Sequence, residues 1–402
     1  MKILIISQYF WPENFRINDL ALGLQERGHE IHVLTGKPNY PNGIFYNGYS
    51  FFKKRTEEWN GIKIYRSKLV PRGNGSGIKL MINYISFAFF ASIKVLFHSQ
   101  KYDLIFVYEP SPITVGIPAV LFSKKTKTPI YFWVQDLWPE SVFIAGNIKS
   151  KLILKSLNQL AKWIYKNSKS ILIQSEGFRE YILNQGVDDN KITYFPNSTE
   201  SLYKKIIPSE KIQQRMPNVP FSLLFAGNIG ESQDFENIME AARILKEKTH
   251  DIHFVLLGDG RKKEYVVKKI KEYNLKDNFH LLGAHPLETM PHFFSCSDAL
   301  LVSLKQSKIF SLTIPGKIQS YLACGKPIIG AIDGSGANII IESKSGLVAP
   351  AGNSLILANK IHELYSMTIK EREIMGNNAH KYFKENFERD RLISKLIKLF
   401  NK

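Results

Sequence analysis

The chain has 402 residues, enough for two domains each with its own core. Its 44% hydrophobic and 22% charged residues exclude a disordered chain, and the formal net charge of +18 calls for an anionic counterpart: nucleic acid, acidic lipid or a phosphorylated substrate. Two cysteines, Cys296 and Cys324, exclude a disulfide framework and a cysteine metal site, and fit a reducing compartment.

The N-terminal MKILIISQYFWP carries one lysine and an apolar run too short for a signal peptide, so it reads as a first buried strand and the protein as cytoplasmic. Apolar runs rich in β-branched and aromatic residues follow at 3–7, 30–35, 62–66, 104–109, 129–136, 170–175 and 192–195, each trailed by a helix-length segment. That alternation predicts a parallel sheet wrapped by helices. Within it, 80–93 (LMINYISFAFFASI) is a run of 14 residues without a charge, short of the ~20 that span a bilayer. Only Lys79, Asn83 and Ser86 make a polar stripe, which leaves two readings, a core helix or a helix leaning into a membrane surface. Lys53, Lys54, Arg55, Arg66, Lys68, Arg72 and Lys79 precede it, a basic set suited to an anionic membrane.

A stretch with Pro208, Pro217 and Pro220 reads as an interdomain linker. The alternation then restarts at 221–227, 252–258, 279–282, 299–304, 327–332 and 346–348, which predicts a second doubly wound domain. The expected division is 1–200 and 201–385, with a helix over about 386–402 packing back on the first domain. Ligands of such sheets sit beyond the carboxyl ends of the strands, so the loops there are the place to seek chemistry.

In the second half, FAGNIG places Gly227, Asn228 and Gly230 in a small-residue turn before a helix, where backbone amides and the helix dipole attract phosphate. TIPGKIQSYLACGKPIIG puts Lys317 at the opening of another helix on the same sheet edge. Neither Gly316-Lys317-Ile318 nor Gly325-Lys326-Pro327 supplies the hydroxyl of a Walker loop, so an ATPase is excluded. Two amide-rich helix starts and one lysine form a clamp for a diphosphate. No Asp-x-Asp pair or His/Cys cluster of ligand spacing is present, so no metal is expected. Zinc-finger, RNA-recognition and helix-turn-helix signatures are absent, and the basic charge is spread along the chain, against a nucleic-acid partner.

The succession GLQERGHEIHVLTG, VQDLWPES, ILIQSEGF, YFPNS, FAGNIG, LLGDG, HLLGAHPLETMPHFFSCSDALLVSL and PGKIQSYLACGKPII resembles the family 4 retaining glycosyltransferases over nearly the whole chain. FWPENFR, DLWPES and TIPGK make it most similar to L-fucosamine transferases of bacterial O-antigen and capsule assembly. The resemblance implies a GT-B fold, two Rossmann-like domains facing across a cleft. It further implies a nucleotide-sugar donor, with UDP the expected carrier, held by the C-terminal domain, and a lipid-linked saccharide acceptor held by the N-terminal one. Metal and cofactor are expected to be absent, and the enzyme to work at the inner face of the cell membrane. Donor contacts carry over to Asn228, Gly230, Gln233, Gly258, Ala284, Thr313 and Ser320. Catalytic roles are expected of Lys317, in the diphosphate clamp, and of Asp136 and Glu109, carboxylates at strand ends on the first sheet's carboxyl edge, and acceptor contacts of Glu13, Asn14, Arg16 and Tyr108.

The chain departs from the family pattern at several of these positions. Leu312 and Ser320 stand where a glutamate pair is usual, Asn228 and Gln233 where an arginine and a lysine are, and Tyr108 in a histidine's place before Glu109. Glu13, Asn14 and Arg16 replace a Gly-Gly turn, and Glu140 adds a carboxylate beside Asp136. Two alternatives stand beside the transferase: a nucleotide-sugar epimerase of the same architecture, and a non-catalytic sugar-nucleotide-binding protein.

Overall fold

The computed structural model describes residues 1–140 and 150–401; Ser141, the last residue of the DLWPES motif, lies outside them. The chain divides into two units, Met1–Pro196 with Leu392–Lys402, and Asn197–Arg391.

In the first unit the apolar runs form strands β1 (Lys2–Ile6), β2 (Glu30–Thr35), β4 (Ile62–Arg66), β5 (Leu104–Glu109), β6 (Ile130–Val134), β7 (Ser170–Ile173) and β8 (Ile192–Tyr194). A short strand β3 (Thr56–Trp59) precedes β4, and the sheet order is β3-β4-β2-β1-β5-β6-β7-β8. All neighbours pair in parallel except β3 and β4, which are antiparallel. Every residue of β5 and β6 is buried, as expected of parallel strands covered on both faces by helices. Two helices matter below: α1 (Arg16–Gln25) and α2 (Gly77–Leu96). The final helix, Arg389–Phe400, buries Leu392, Ile393, Leu396 and Phe400 in the first unit's core, with the Phe400 ring 4.9 Å from that of Tyr131.

The second unit holds β9 (Phe221–Ala226), β10 (Ile252–Leu257), β11 (Phe279–Gly283), β12 (Ala299–Ser303), β13 (Ile328–Ala331) and β14 (Gly346–Ala349), in the order β11-β10-β9-β12-β13-β14. Both sheets reverse direction beside their first strand, so their topological switch points lie between β1 and β5 and between β9 and β12. The proline-containing segment expected to be a linker belongs to the second unit instead. It carries a short helix, Glu210–Gln213, buries Ile212, and stacks Tyr203 on Phe294 at 5.9 Å. Burial of these apolar side chains fixes what prolines alone would leave open.

Candidate active site

At the carboxyl edge of the second sheet, Pro315 caps the helix Gly316–Cys324, and Gly325, with φ of 63°, closes it in the left-handed conformation. Lys317 is therefore in the first turn. Its Nζ donates to Gln233 Oε1 at 2.6 Å and lies 3.6 Å from the centroid of the Phe225 ring. The lysine is half-buried, and burial pushes its ammonium down to about 7.

The turn after β9 makes room for this lysine. Gly227 has φ of 134°, and a Cβ there would meet Lys317 Cε at 2.9 Å. The loops after β9, β10 and β11 continue the ladder beyond the strands: Gly227 N donates to Leu257 O at 2.8 Å, Ile229 N to Asp259 O at 2.8 Å and Gly258 N to Gly283 O at 2.8 Å. A Cβ on Gly258 would lie 1.9 Å from the Gly227 carbonyl oxygen, so only glycine permits this approach. The amides of Gly227 and Ile229, expected to be open to phosphate, are thus committed to neighbouring carbonyls. Gly230 starts a single 3-10 turn, Glu231–Gln233, and the helix Phe235–Lys246 begins only after it.

That short turn is where the site is assembled. Gln233 holds Lys317, while the Glu231 carboxylate pairs with Lys262 at 2.8 Å and also with Lys305. Glu236 pairs with Lys262 at 2.7 Å. Three lysines, from the loops after β10 and β12 and from the helix Gly316–Cys324, thus converge on three residues at the switch point. The sequence reading found only Lys317; position just beyond a strand's carboxyl end was the signal for Lys262 and Lys305. Lys262 and Lys305 are paired with the Glu231 and Glu236 carboxylates, so the set carries one positive charge in excess when Lys317, held by the neutral Gln233 amide, is protonated, at an edge where a diphosphate leaving group would develop negative charge.

The other expected donor residues are more dispersed in role. Asn228 is exposed, Ala284 is exposed in the loop after β11, and Thr313 Oγ1 donates to Ile309 O at 3.0 Å. Ser320, expected to meet a ribose, is buried, with its hydroxyl 2.9 Å from Thr199 Oγ1 and 3.4 Å from the Gly316 carbonyl oxygen. Both of these partners lie inside the second unit.

In the first unit, the loop after β1 behaves differently from expectation. Glu13 is buried, and its Oε1 accepts the amides of Asn39 at 2.8 Å and Tyr40 at 2.7 Å, tying the β1 loop to the β2 loop. Burial pushes its carboxyl up to about 7. Asn14 is exposed and Arg16 opens α1, half-buried. Tyr108 is core: its ring packs against Trp133 with centroids 5.3 Å apart. Glu109 is fully buried, and burial together with the neighbouring Asp136 pushes its carboxyl well above the usual range. Asp136, just after β6, is half-buried. The Asp136 Oδ1 accepts the Leu137 amide at 3.0 Å, and Glu140 accepts the Tyr181 hydroxyl. Tyr84, not foreseen, reaches this edge from α2; burial raises its phenol, on which Arg72 and Asp136 also act.

Two doubly wound units, each with a topological switch point beside its first strand, define the class of paired Rossmann-like proteins. Residues 14–198 match the glycosyl transferase 4-like domain, and residues 207–382 match the glycosyl transferases group 1 family. The chain belongs to these glycosyltransferases, and its fold is GT-B. It is 23% identical to the colanic acid biosynthesis glycosyl transferase WcaI of Escherichia coli K12, over 95% of this chain and 98% of that protein. It is 25% identical to the N,N'-diacetylbacillosaminyl-diphospho-undecaprenol alpha-1,3-N-acetylgalactosaminyltransferase of Campylobacter jejuni, over 70% of this chain and 73% of that one. The solved structure of Anabaena Alr3699/HepE in complex with UDP covers 100% of both chains with a TM-score of 0.70 at 13% identity.

Proposed function

We propose that this glycosyltransferase moves a sugar, N-acetyl-L-fucosamine in the most specific form of the reading, from a UDP-linked donor to a lipid-linked saccharide, with retention at the anomeric carbon. The product would be a growing bacterial surface polysaccharide of the O-antigen or capsule type, made at the cytoplasmic face of the cell membrane. The single observation that carries this reading is the convergence of Lys317, Lys262 and Lys305 on the turn Glu231–Gln233. The relatives support polysaccharide assembly and an undecaprenol-linked acceptor.

In this reading the second unit holds the donor. The bond from the anomeric carbon to the diphosphate breaks, and the lysines stabilise the departing charge. Because that charge is met by side chains, we expect transfer to need no divalent ion and to survive thorough chelation. The first unit holds the acceptor, with half-buried Asp136 at its carboxyl edge and buried Glu109 as a positioning group. Purified protein given a panel of UDP-sugars, with and without extracted membrane lipid, tests this. Release of UDP from one donor, dependent on the lipid, is the expected result; release indifferent to lipid would refute the acceptor class.

A further inference from the structure

The helix α2 has 20 residues, is long and apolar enough to cross a membrane, and measures ~30 Å at ~1.5 Å per residue. Its inner face is nevertheless built into the first unit. Asn83, Tyr84, Phe87, Ala88, Ala91 and Val95 are buried. Asn83 accepts from Gln8 Nε2 at 2.7 Å and donates to the Val70 carbonyl at 2.6 Å. A spanning orientation would strip these polar groups of their partners.

The outer face is a different surface. Ile78, Ile82, Ile85, Phe89, Ile93 and Leu96 recur at intervals of three and four residues and form one exposed stripe, with Ile78 78% and Phe89 58% exposed. Phe97, just past the helix, is 85% exposed. A helix facing water carries polar residues at such positions. Contiguous apolar surface of this kind marks an interaction site. The stripe runs on through Phe90 to Phe51, whose rings are 5.5 Å apart, and to the exposed Phe52.

Charge decides what covers it. Residues 40–97 contain nine lysines and arginines against Glu57 and Glu58. Glu57 and Arg66 pair at 2.5 Å and Arg66 is buried, which leaves eight lysines and arginines against Glu58. The Lys68 ammonium sits 4.7 Å from the Phe52 ring centroid and 5.8 Å from that of Phe90, at the margin of the apolar stripe. Lys53, Lys54, Arg55 and Lys79 are exposed. A second copy of this chain would bring the same net charge of +18 and the same basic margin, whereas an acidic bilayer surface neutralises it.

We infer that the outer face of α2, with the loop carrying Phe52 to Arg55, docks on an anionic lipid bilayer with the helix lying in the plane of the interface. This deepens the proposed function, resting on its lipid-linked acceptor, by naming the surface that meets the membrane. The apolar stripe enters the boundary between headgroups and acyl chains, and the lysines and arginines meet the headgroups.

The test is sedimentation of the full-length protein with phosphatidylglycerol-containing vesicles and with pure phosphatidylcholine vesicles, alongside Ile85→Glu/Phe89→Glu and Lys53→Glu/Lys54→Glu variants. Wild type should pellet with the anionic vesicles, less so at high salt and little with neutral ones. Each double variant should bind at least about tenfold more weakly, with unchanged circular dichroism and unchanged transfer to a short water-soluble acceptor. Binding indifferent to lipid charge, binding undiminished in the variants, or no binding overturns the inference. So does a wild-type dimer in solution that the Ile85→Glu/Phe89→Glu variant breaks, which would show that a second copy covers the face. Vesicle binding requires no sugar chemistry, so failure here with transfer to the soluble acceptor intact would leave the transferase reading standing.

Discussion

Replacing Lys317 by methionine tests the clamp through its proton. Burial pushes this ammonium from its ordinary 10.5 to about 7, so the free protein holds it charged below neutrality and neutral above. A bound diphosphate favours the charged form and restores the proton. UDP affinity should therefore fall about tenfold per pH unit above about 7, which is roughly 2–3 kcal/mol between pH 7 and 9. Isothermal titration calorimetry in buffers of different ionisation enthalpy reads this directly, as weaker binding with proton uptake at higher pH. In Lys317→Met the slope and the uptake should vanish, and transfer should drop by roughly 10²- to 10³-fold. The stability effect has the opposite sense. The folded-state pKa lies below the unfolded one, so the desolvated ammonium destabilises the fold fully below pH 7, and stability recovers as pH rises towards 10.5. Lys317→Met should thus raise the melting temperature more at pH 6 than at pH 10. UDP affinity independent of pH from 6.5 to 9 in wild type, or full activity in Lys317→Met, would refute the reasoning.

Lys305→Ala should weaken UDP binding by several-fold while changing stability by less than about 1 kcal/mol, because its pair with Glu231 is solvent-exposed; calorimetry and thermal melts separate the two. Gly258→Ala sets a Cβ 1.9 Å from the Gly227 carbonyl oxygen at a φ of 139° and should lower stability by roughly 2–4 kcal/mol in denaturant titration. Glu109→Gln keeps the shape of a carboxyl that burial holds protonated, so transfer should persist within about tenfold. The raised folded-state pKa of Glu109 favours the fold at low pH and loses that contribution as pH rises above the unfolded value, so stability in the glutamine variant should decline less between pH 5 and 9.

The two sheets were legible because their strands are buried on both faces and stand out as apolar runs. The same property hid the facing of β5: with all six residues buried, no alternation distinguishes Tyr108, which packs on Trp133, from Glu109 on the other face. Strand β3, Thr56–Trp59, is half-exposed and polar, and its hairpin with β4 turns on Asn60 and Gly61, whose φ values of 49° and 79° suit a tight turn. That dipeptide was the available signal. The start and stop of the helix bearing Lys317 were written locally, in Pro315 and Gly325. Its companions were not, since Lys262 and Lys305 reach Glu231 only once β10 and β12 lie on either side of β9. The burial of Glu13 was hidden for the same reason. Its partners, the Asn39 and Tyr40 amides, belong to the loop after β2, and the contact turns the carboxylate inward.

The central claim is that sugar leaves the nucleotide for a lipid, and the fate of a labelled sugar decides it. Purified protein, extracted membrane lipid and a UDP-sugar carrying label in the sugar ring should yield label in the organic phase, with the yield lost in Lys317→Met. Label that stays on the nucleotide as an epimer, or that remains wholly unchanged across the donor panel while UDP binds normally, would contradict the account.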